Sequence, residues 1–307
     1  MTIAFISHPD CALHEMGAHH PECPARLSAI QDQIIASGLE FAVRNYEAPL
    51  ATREQLCRVH DRDYVDDIFQ RAPQDTGQIW LDPDTSMVTD SLNAALRAAG
   101  AVILGVDLVM SGKEQAVFCN VRPPGHHAER ARTMGFCIFN NIAVGATYAR
   151  DKFGVKKLAI LDFDVHHGNG TEDIFREEPA VMFCSTFQHP FYPHTGADLI
   201  SEHIVNAPLP AGANGVAFKE AIESHWLPKL HEFQPELILI SAGFDAHLED
   251  DMANLCLTEQ DYAWVTREIK TIADTYAQGR IVSSLEGGYA LSALGRSVAA
   301  HLDALLG

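Results

Sequence analysis

Basic side chains are scarce in this 307-residue sequence: 22 Lys and Arg stand against 41 Asp and Glu, a formal net charge of −19. That balance lacks the basic footprint with which a chain grips nucleic acid, so no direct nucleic-acid partner is expected. It favours a cationic substrate through long-range attraction, although the same acidity also serves solubility alone. Disulfide signals are missing too. The seven cysteines, at 11, 23, 57, 119, 137, 184 and 256, are odd in number and form no CxxC pair. Free thiols in a reducing cytoplasm are therefore expected. No uncharged run of 18 apolar residues occurs, so no membrane span is expected. The first seven residues lack the basic start and long apolar core of a signal peptide and read as a first strand. There is no repeat, no low-complexity tract and no linker-like shift in composition, and one domain covering 1–307 is expected.

What is present is apolar and patterned. Hydrophobic residues make up 47% of the chain, enough for a large buried core. Short runs at 3–7, 116–120, 158–163, 181–185, 237–241 and 281–285 are rich in Val, Ile, Leu and Phe and do not alternate with polar residues. That is the signature of parallel strands covered on both faces. Helical stretches lie between them. Residues 24–37 carry Leu27, Ile30 and Ile34 on one face and stop at Gly38. Thr52 and Gln55 are spaced as a capping box. Residues 91–110 and 139–153 each end at or near a glycine, and Thr258 opens a helix that runs to about Ala277. The fold class that follows is α/β, an open parallel sheet flanked by helices with right-handed crossovers.

In such sheets ligands bind beyond the carboxyl ends of the strands. Asp162, Asp164, His166 and His167 follow one run; Gly243, Asp245 and His247 follow another; Glu286, Gly287, Gly288 and Tyr289 a third; Arg122, Pro123, Pro124, Gly125, His126 and His127 a fourth. In an extended strand end, residues two apart point to one side, so Asp162, Asp164 and His166 share a face. A carboxylate and an imidazole two apart suit one metal ion, and Asp245 could complete the set. One nitrogen and two carboxylates leave positions open for reactants, as at a catalytic site. Zinc fits, and ferrous iron or cobalt would also fit. The proline–glycine turn before His126 and His127 holds two imidazoles rigidly, one of them available to move a proton. Gly287 and Gly288 permit close approach of backbone to a ligand, and the Tyr289 hydroxyl is suited to donate to an oxyanion.

Residues 122–129, 135–141, 162–170, 243–247 and 286–289 resemble the successive motifs of the histone deacetylase superfamily, and residues 20–26 resemble its first loop. The likeness runs in order from about residue 8 to 295. Its details are similar to the class II branch and its bacterial relatives. The resemblance implies the arginase–deacetylase fold, zinc as cofactor and deacetylation of an acyl-lysine, with an acetylpolyamine as the alternative substrate. It implies Asp164, His166 and Asp245 as zinc ligands and His127 as general base and acid. His126 supports the transition state, with Asp162 as its carboxylate partner, and Tyr289 stabilises the oxyanion. Phe136, beside Gly135, and Tyr192 correspond to the walls of the acyl-lysine tunnel. Gly288 is expected against the substrate, Met252 corresponds to the tunnel rim with Asp82 and Asp84 on the opposite side, and Arg26 to an internal cavity for acetate. Family members bind potassium, for which Asp162, Asp164, His166, Ser185 and Thr186 match the ligands.

Two departures stand out. Asn169 occupies a place where class I members carry an aspartate paired with the base, so His127 should have a lower pKa than with a carboxylate partner. Tyr192 adds a hydroxyl where phenylalanine is common. Met252 supplies no charge at a position where polyamine-specific relatives can carry glutamate, which favours a peptide or protein substrate. Cys137 is read as a cavity-wall residue rather than a nucleophile. A two-metal ureohydrolase shares the fold, but His247 stands where that chemistry needs another aspartate. A non-catalytic acyl-lysine binder is the remaining alternative. Homo-oligomerisation is left open.

Overall fold

The computed structural model describes residues 2–199 and 201–307. The strands among the described residues are β1 (Ile3–Ser7), β2 (Val43–Glu47), β3 (Ile79–Trp80), β4 (Ser86–Met87), β5 (Ala116–Cys119), β6 (Leu158–Asp162), β7 (Val181–Gln188), β8 (Ile204–Leu209), β9 (Leu237–Ala242) and β10 (Ile281–Leu285). The α-helices among the described residues are α1 (Ala25–Ala36), α2 (Arg53–Leu56), α3 (Arg62–Arg71), α4 (Ser91–Met110), α5 (Asn141–Phe153), α6 (Asn169–Phe175), α7 (Gly215–Ala221), α8 (Leu227–Phe233), α9 (Glu259–Tyr276) and α10 (Leu291–Leu306). Eight strands form one parallel sheet in the order β2-β1-β5-β10-β9-β6-β7-β8, and β3 and β4 form a separate small hairpin.

The continuous apolar runs are explained by burial on both faces. Along β9, Leu237 and Leu239 enter one core while Ile238 and Ile240 enter the other. Strand β1 divides in the same way, Ala4 and Ile6 against Ile3 and Phe5. Helices α4 and α5 pack on each other in the first core, and α1, α9 and α10 in the second. Helix α4 is long and apolar enough to cross a membrane by composition, and 72% of its most apolar window is buried inside the fold. It is the core helix of this sheet.

Local signals set the ends of the helices. Thr52 and Gln55 form a reciprocal capping box, and Thr258 and Asp261 form another. The Asn140 side chain accepts from the Ala143 N–H, so α5 starts at Asn141 rather than at the expected 139. Of the four strands that carry the site, β5 stops at Cys119 and β6 at Asp162, one residue before the expected ends, β10 ends at Leu285 as expected, and β9 runs one residue further, to Ala242. Strands β5, β10, β9 and β6 are consecutive in the sheet. Being parallel, they bring all four of the polar segments that follow them to one edge.

Candidate active site

Beyond Asp162 the chain leaves the sheet in a bend, so the ligand pattern does not arise from an extended strand as expected. The bend is held by its own carboxylates: the Asp164 N–H donates to Asp162 Oδ1 and the His166 N–H to Asp164 Oδ1. Asp162 is not part of the converging trio, and its Oδ2 meets His126 instead. Asp164, His166 and Asp245, all buried, place their ligand atoms within 4.8 Å of one another. His166 Nδ1 lies 3.1 Å from Asp164 Oδ1 and 3.1 Å from Asp245 Oδ2. Both carboxylates are further fixed by backbone donors, Gly287 N–H to Asp164 at 2.8 Å and Val165 N–H to Asp245 at 2.9 Å. Gly287 is required here, because a Cβ at that position would lie 2.6 Å from Asp164 Oδ2. The donor set, one imidazole and two carboxylates converging in a buried space, fits a single divalent ion with open positions.

Beside this trio stand two imidazoles with ring centroids 4.0 Å apart. His126 Nδ1 is 2.9 Å from Asp162 Oδ2, and His127 Nδ1 is 2.7 Å from Asn169 Oδ1. Burial opposes charge on both. At His126 the carboxylates of Asp162 and Asp164 overcome it and raise the pKa to about 10. At His127 burial, reinforced by the neighbouring His126 and His166, holds the pKa well below the usual value. The surroundings thus bias His126 toward its charged form and His127 toward its neutral form. The segment is anchored from below by Glu286, whose buried carboxylate accepts the Gly125 and His126 N–H groups at 2.6 and 3.1 Å.

A cavity of about 210 Å³ opens onto these groups. His126, His127, His166, Gly287 and Tyr289 line its inner part; Phe136, Phe191 and Tyr192 are its aromatic walls; Asp84 and Met252 also border it. Burial raises the Tyr289 pKa well above normal, which keeps its hydroxyl protonated and able to donate. Asp250 fixes the backbone at this point, accepting the Tyr289 and Ala290 N–H groups at 2.6 and 2.9 Å. Across the cavity, Gly135 and Phe136 both have positive φ, 56° and 68°. The strained Phe136 conformation is held by its N–H bond to Thr85 Oγ1 and by the Gly135 N–H bond to Asp84. A Cβ on Gly135 would collide with the His127 ring. The Tyr192 hydroxyl donates to Asp84 Oδ2 at 3.3 Å, so the extra oxygen ties a wall to the mouth.

Some residues singled out from sequence sit elsewhere. Gly288, expected against the substrate, does not line the cavity; its neighbour Gly287 does. Its φ is +121°, and a Cβ there would meet Leu294 at 2.8 Å. The Gly288 carbonyl accepts from Arg26 Nε at 2.6 Å. Arg26 is fully buried, also bonds to Glu22 and the Glu286 carbonyl, and lies 4.9 Å from the Tyr289 ring centroid. Gly135 supports His127 as well as the wall. Asp82 caps its own turn, accepting from Asp84 and Thr85 N–H groups, while Asp84 lines the cavity. Ser185 is in register with Asp162 on the adjacent strand, and both Ser185 and Thr186 are buried. His247 turns toward Glu259, 3.5 Å away, and Cys137 is buried without lining the cavity. Sequence reading missed Phe191, which stacks on His166 at 5.7 Å. Its signal was the aromatic pair at 191–192 bracketed by Pro190 and Pro193. Asp250 was also missed, since a lone acid among Glu249, Asp250 and Asp251 carries no signal of backbone capping.

Comparison with known proteins covers almost the whole chain. The family model described as the histone deacetylase domain matches residues 20–305. Histone deacetylase 14, chloroplastic, of Arabidopsis thaliana is 38% identical over 94% of this chain and 73% of its own length. Polyamine deacetylase HDAC10 of Mus musculus is 34% identical over 100% of this chain, which spans 48% of that relative. Among solved structures, the crystal structure of the HDA15 HD domain superposes with a TM-score of 0.93 at 33% identity, covering 99% of this chain and 88% of that one. The sheet order, the converging strand ends and these likenesses agree, and the chain belongs to the histone deacetylase family.

Proposed function

We propose that this protein hydrolyses the amide of an acetylated lysine side chain, or a related acyl-lysine, to a free amine and a carboxylate. The observation that carries this reading is the junction of a narrow aromatic-walled cavity with a buried divalent-metal trio and a neutral histidine. Asp164, His166 and Asp245 would hold zinc, which when bound supplies Lewis acidity toward the acyl carbonyl and acidifies water. His127 takes the proton of the attacking water at Nε2, the nitrogen left free by its Asn169 contact, and then gives it to the departing amine. Its depressed pKa keeps it in the accepting form before the reaction. His126, held cationic by Asp162, offsets the negative charge that develops on the substrate. Tyr289 donates its hydroxyl hydrogen to the same oxyanion. Phe136, Phe191 and Tyr192 enclose the aliphatic stem and exclude water.

Potassium fits beside this site on a separate ground. Ser185 Oγ is buried without a hydrogen-bond partner, next to Asp162 in the sheet. Together with Asp162, Asp164, His166 and Thr186 it would hold the ion and stiffen the bend that presents the metal ligands.

An acetylpolyamine is a second reading, supported by the likeness to the mouse polyamine deacetylase. Against it, Met252 borders the cavity with a neutral thioether, leaving Asp84 as the carboxylate in the lining. A kinetic panel on the zinc-loaded protein decides the matter: acetyl-lysine peptides, longer acyl-lysines and acetylspermidine, compared by kcat/KM. The peptides are expected to lead. Acetylspermidine in the lead would select the polyamine reading, and no release of carboxylate from any of them would overturn the function.

A further inference from the structure

His127 is one end of a hydrogen-bonded chain that leads out of the cavity. Its Nδ1 lies 2.7 Å from Asn169 Oδ1, Asn169 Nδ2 donates to Glu129 Oε1 at 2.7 Å, and Arg132 Nη2 donates to the same oxygen at 2.7 Å. Asn169 is buried, whereas the Glu129 side chain is 23% exposed.

The chemistry of the middle link fixes that of the first. An amide is a donor on one side and an acceptor on the other, and nothing in an isolated asparagine sets which way it points. A carboxylate partner would always accept from imidazole; an asparagine does so only when its oxygen is turned inward. An ionised glutamate accepts hydrogen bonds only, so the Asn169 NH₂ must face Glu129 and its oxygen must face His127. The Met134 sulfur, 3.3 Å from the same nitrogen, is a second, weak acceptor on that side. The imidazole hydrogen is then held on Nδ1, and the Nε2 lone pair is directed to the reacting atoms. A flipped amide would place its oxygen against Glu129 and its NH₂ against Nδ1, moving the hydrogen to Nε2 and removing the base.

The supporting loop is held firmly. The Glu129 N–H donates to the Arg132 carbonyl at 3.0 Å. Helix α6, which begins with Asn169, is joined to the same segment by Thr171 N–H to the His126 carbonyl and by Arg130 N–H to Asp173.

We propose that Glu129 is a positioning residue for the base: it sets the orientation of the Asn169 amide and through it the tautomer of His127. The kinetic part of this inference rests on the deacylase reading; the tautomer part does not. Glu129 with Asn169 therefore forms a matched pair, and an aspartate at 169 requires a donor, not an acid, at 129.

The test is a double-mutant cycle with a spectroscopic arm. Glu129→Ala should lower kcat about ten- to a hundredfold, the usual effect of removing such an outer partner, with KM and bound zinc little changed. Glu129→Gln, which can turn either its carbonyl or its NH₂ toward Asn169, should recover only part of the loss. Asn169→Asp should be poor because two carboxylates then meet. Asn169→Asp combined with Glu129→Gln should be more active than Asn169→Asp alone, since the glutamine amide introduced by the second change donates to the new carboxylate. Nitrogen-15 NMR of the His127 ring, assigned with His127→Gln, should show hydrogen on Nδ1 in the native protein and a mixture in Glu129→Ala. Losses that simply multiply across the cycle would overturn the proposal. So would a His127 tautomer indifferent to Glu129→Ala, a measurement that holds even if no acyl substrate is turned over.

Discussion

His126 and His127 are neighbours in sequence and in space, yet their surroundings push their pKa values in opposite directions. The first faces the buried carboxylate of Asp162 at 2.9 Å, the second the amide oxygen of Asn169 at 2.7 Å. Burial penalises charge at both, so the partner decides: an ionised one outweighs desolvation and a neutral one does not. Two identical side chains are thus biased toward different protonation states, as the proposed division of labour requires. The contrast also separates what each must be tested for, electrostatic support in one case and proton transfer in the other.

Removing each ring breaks the comparison most directly. His127→Ala should cost about 10²- to 10⁴-fold in kcat, the usual worth of a general base. His126→Ala should cost less, and both should retain zinc; turnover of an acetyl-lysine peptide with metal analysis checks the order. A larger loss at His126 would reverse the assigned roles. Next, Asp162→Asn gives both histidines an amide partner. The His126 pKa should then fall from about 10, and kcat should drop about ten- to a hundredfold as the fixed charge is lost. Histidine NMR titration with parallel kinetics reads both effects. Outside the pair, Asp250→Asn leaves one acceptor oxygen where the carboxylate had two, one for the Tyr289 and Ala290 N–H groups and one for the Met252 N–H. A several-fold fall in kcat is expected, with unchanged zinc content and with little change for a substrate's ground-state binding.

The smallest effect concerns buried histidines whose surroundings do not keep them charged. Burial lowers His14 and His60 to about 4 and His301 to about 3, from an ordinary 6.5. Their pKa values are depressed on folding, so the unfolded chain binds more protons between pH 6.5 and about 4. Stability should be fully present above pH 6.5 and fall across that window, by up to about 1.4 kcal/mol per pH unit for each group. His126, raised on folding, adds nothing to the slope there because its contribution is already complete below pH 6.5. Melting temperature against pH should show the decline, and His301→Gln should flatten it.

Much of this was legible in the sequence because the relevant physics is local. Strands buried on both faces appear as unbroken apolar runs, which is why β1, β5, β6, β7, β9 and β10 were readable. The edge strands β2 and β8 have mixed burial and polar faces, so the same criterion passed over them. Helix α10 was overlooked although Leu294, Val298, Leu302 and Leu305 recur at helical spacing. The metal trio and the two histidines could be named because their residue types are rare together at strand ends. The inward face of Gly287, the stacking of Phe191 on His166, and the bonds from Asp250 and Glu129 depend on how distant loops meet. No spacing along the chain encodes those contacts.

The most direct measurement is zinc titration of the metal-free protein, following acetate release from an acetyl-lysine peptide and zinc bound per chain. Activity should rise linearly and level off at one zinc per chain, and Asp164→Asn should neither bind zinc at this site nor release acetate. Full acetate release by the metal-free protein, or by Asp164→Asn, would contradict the account.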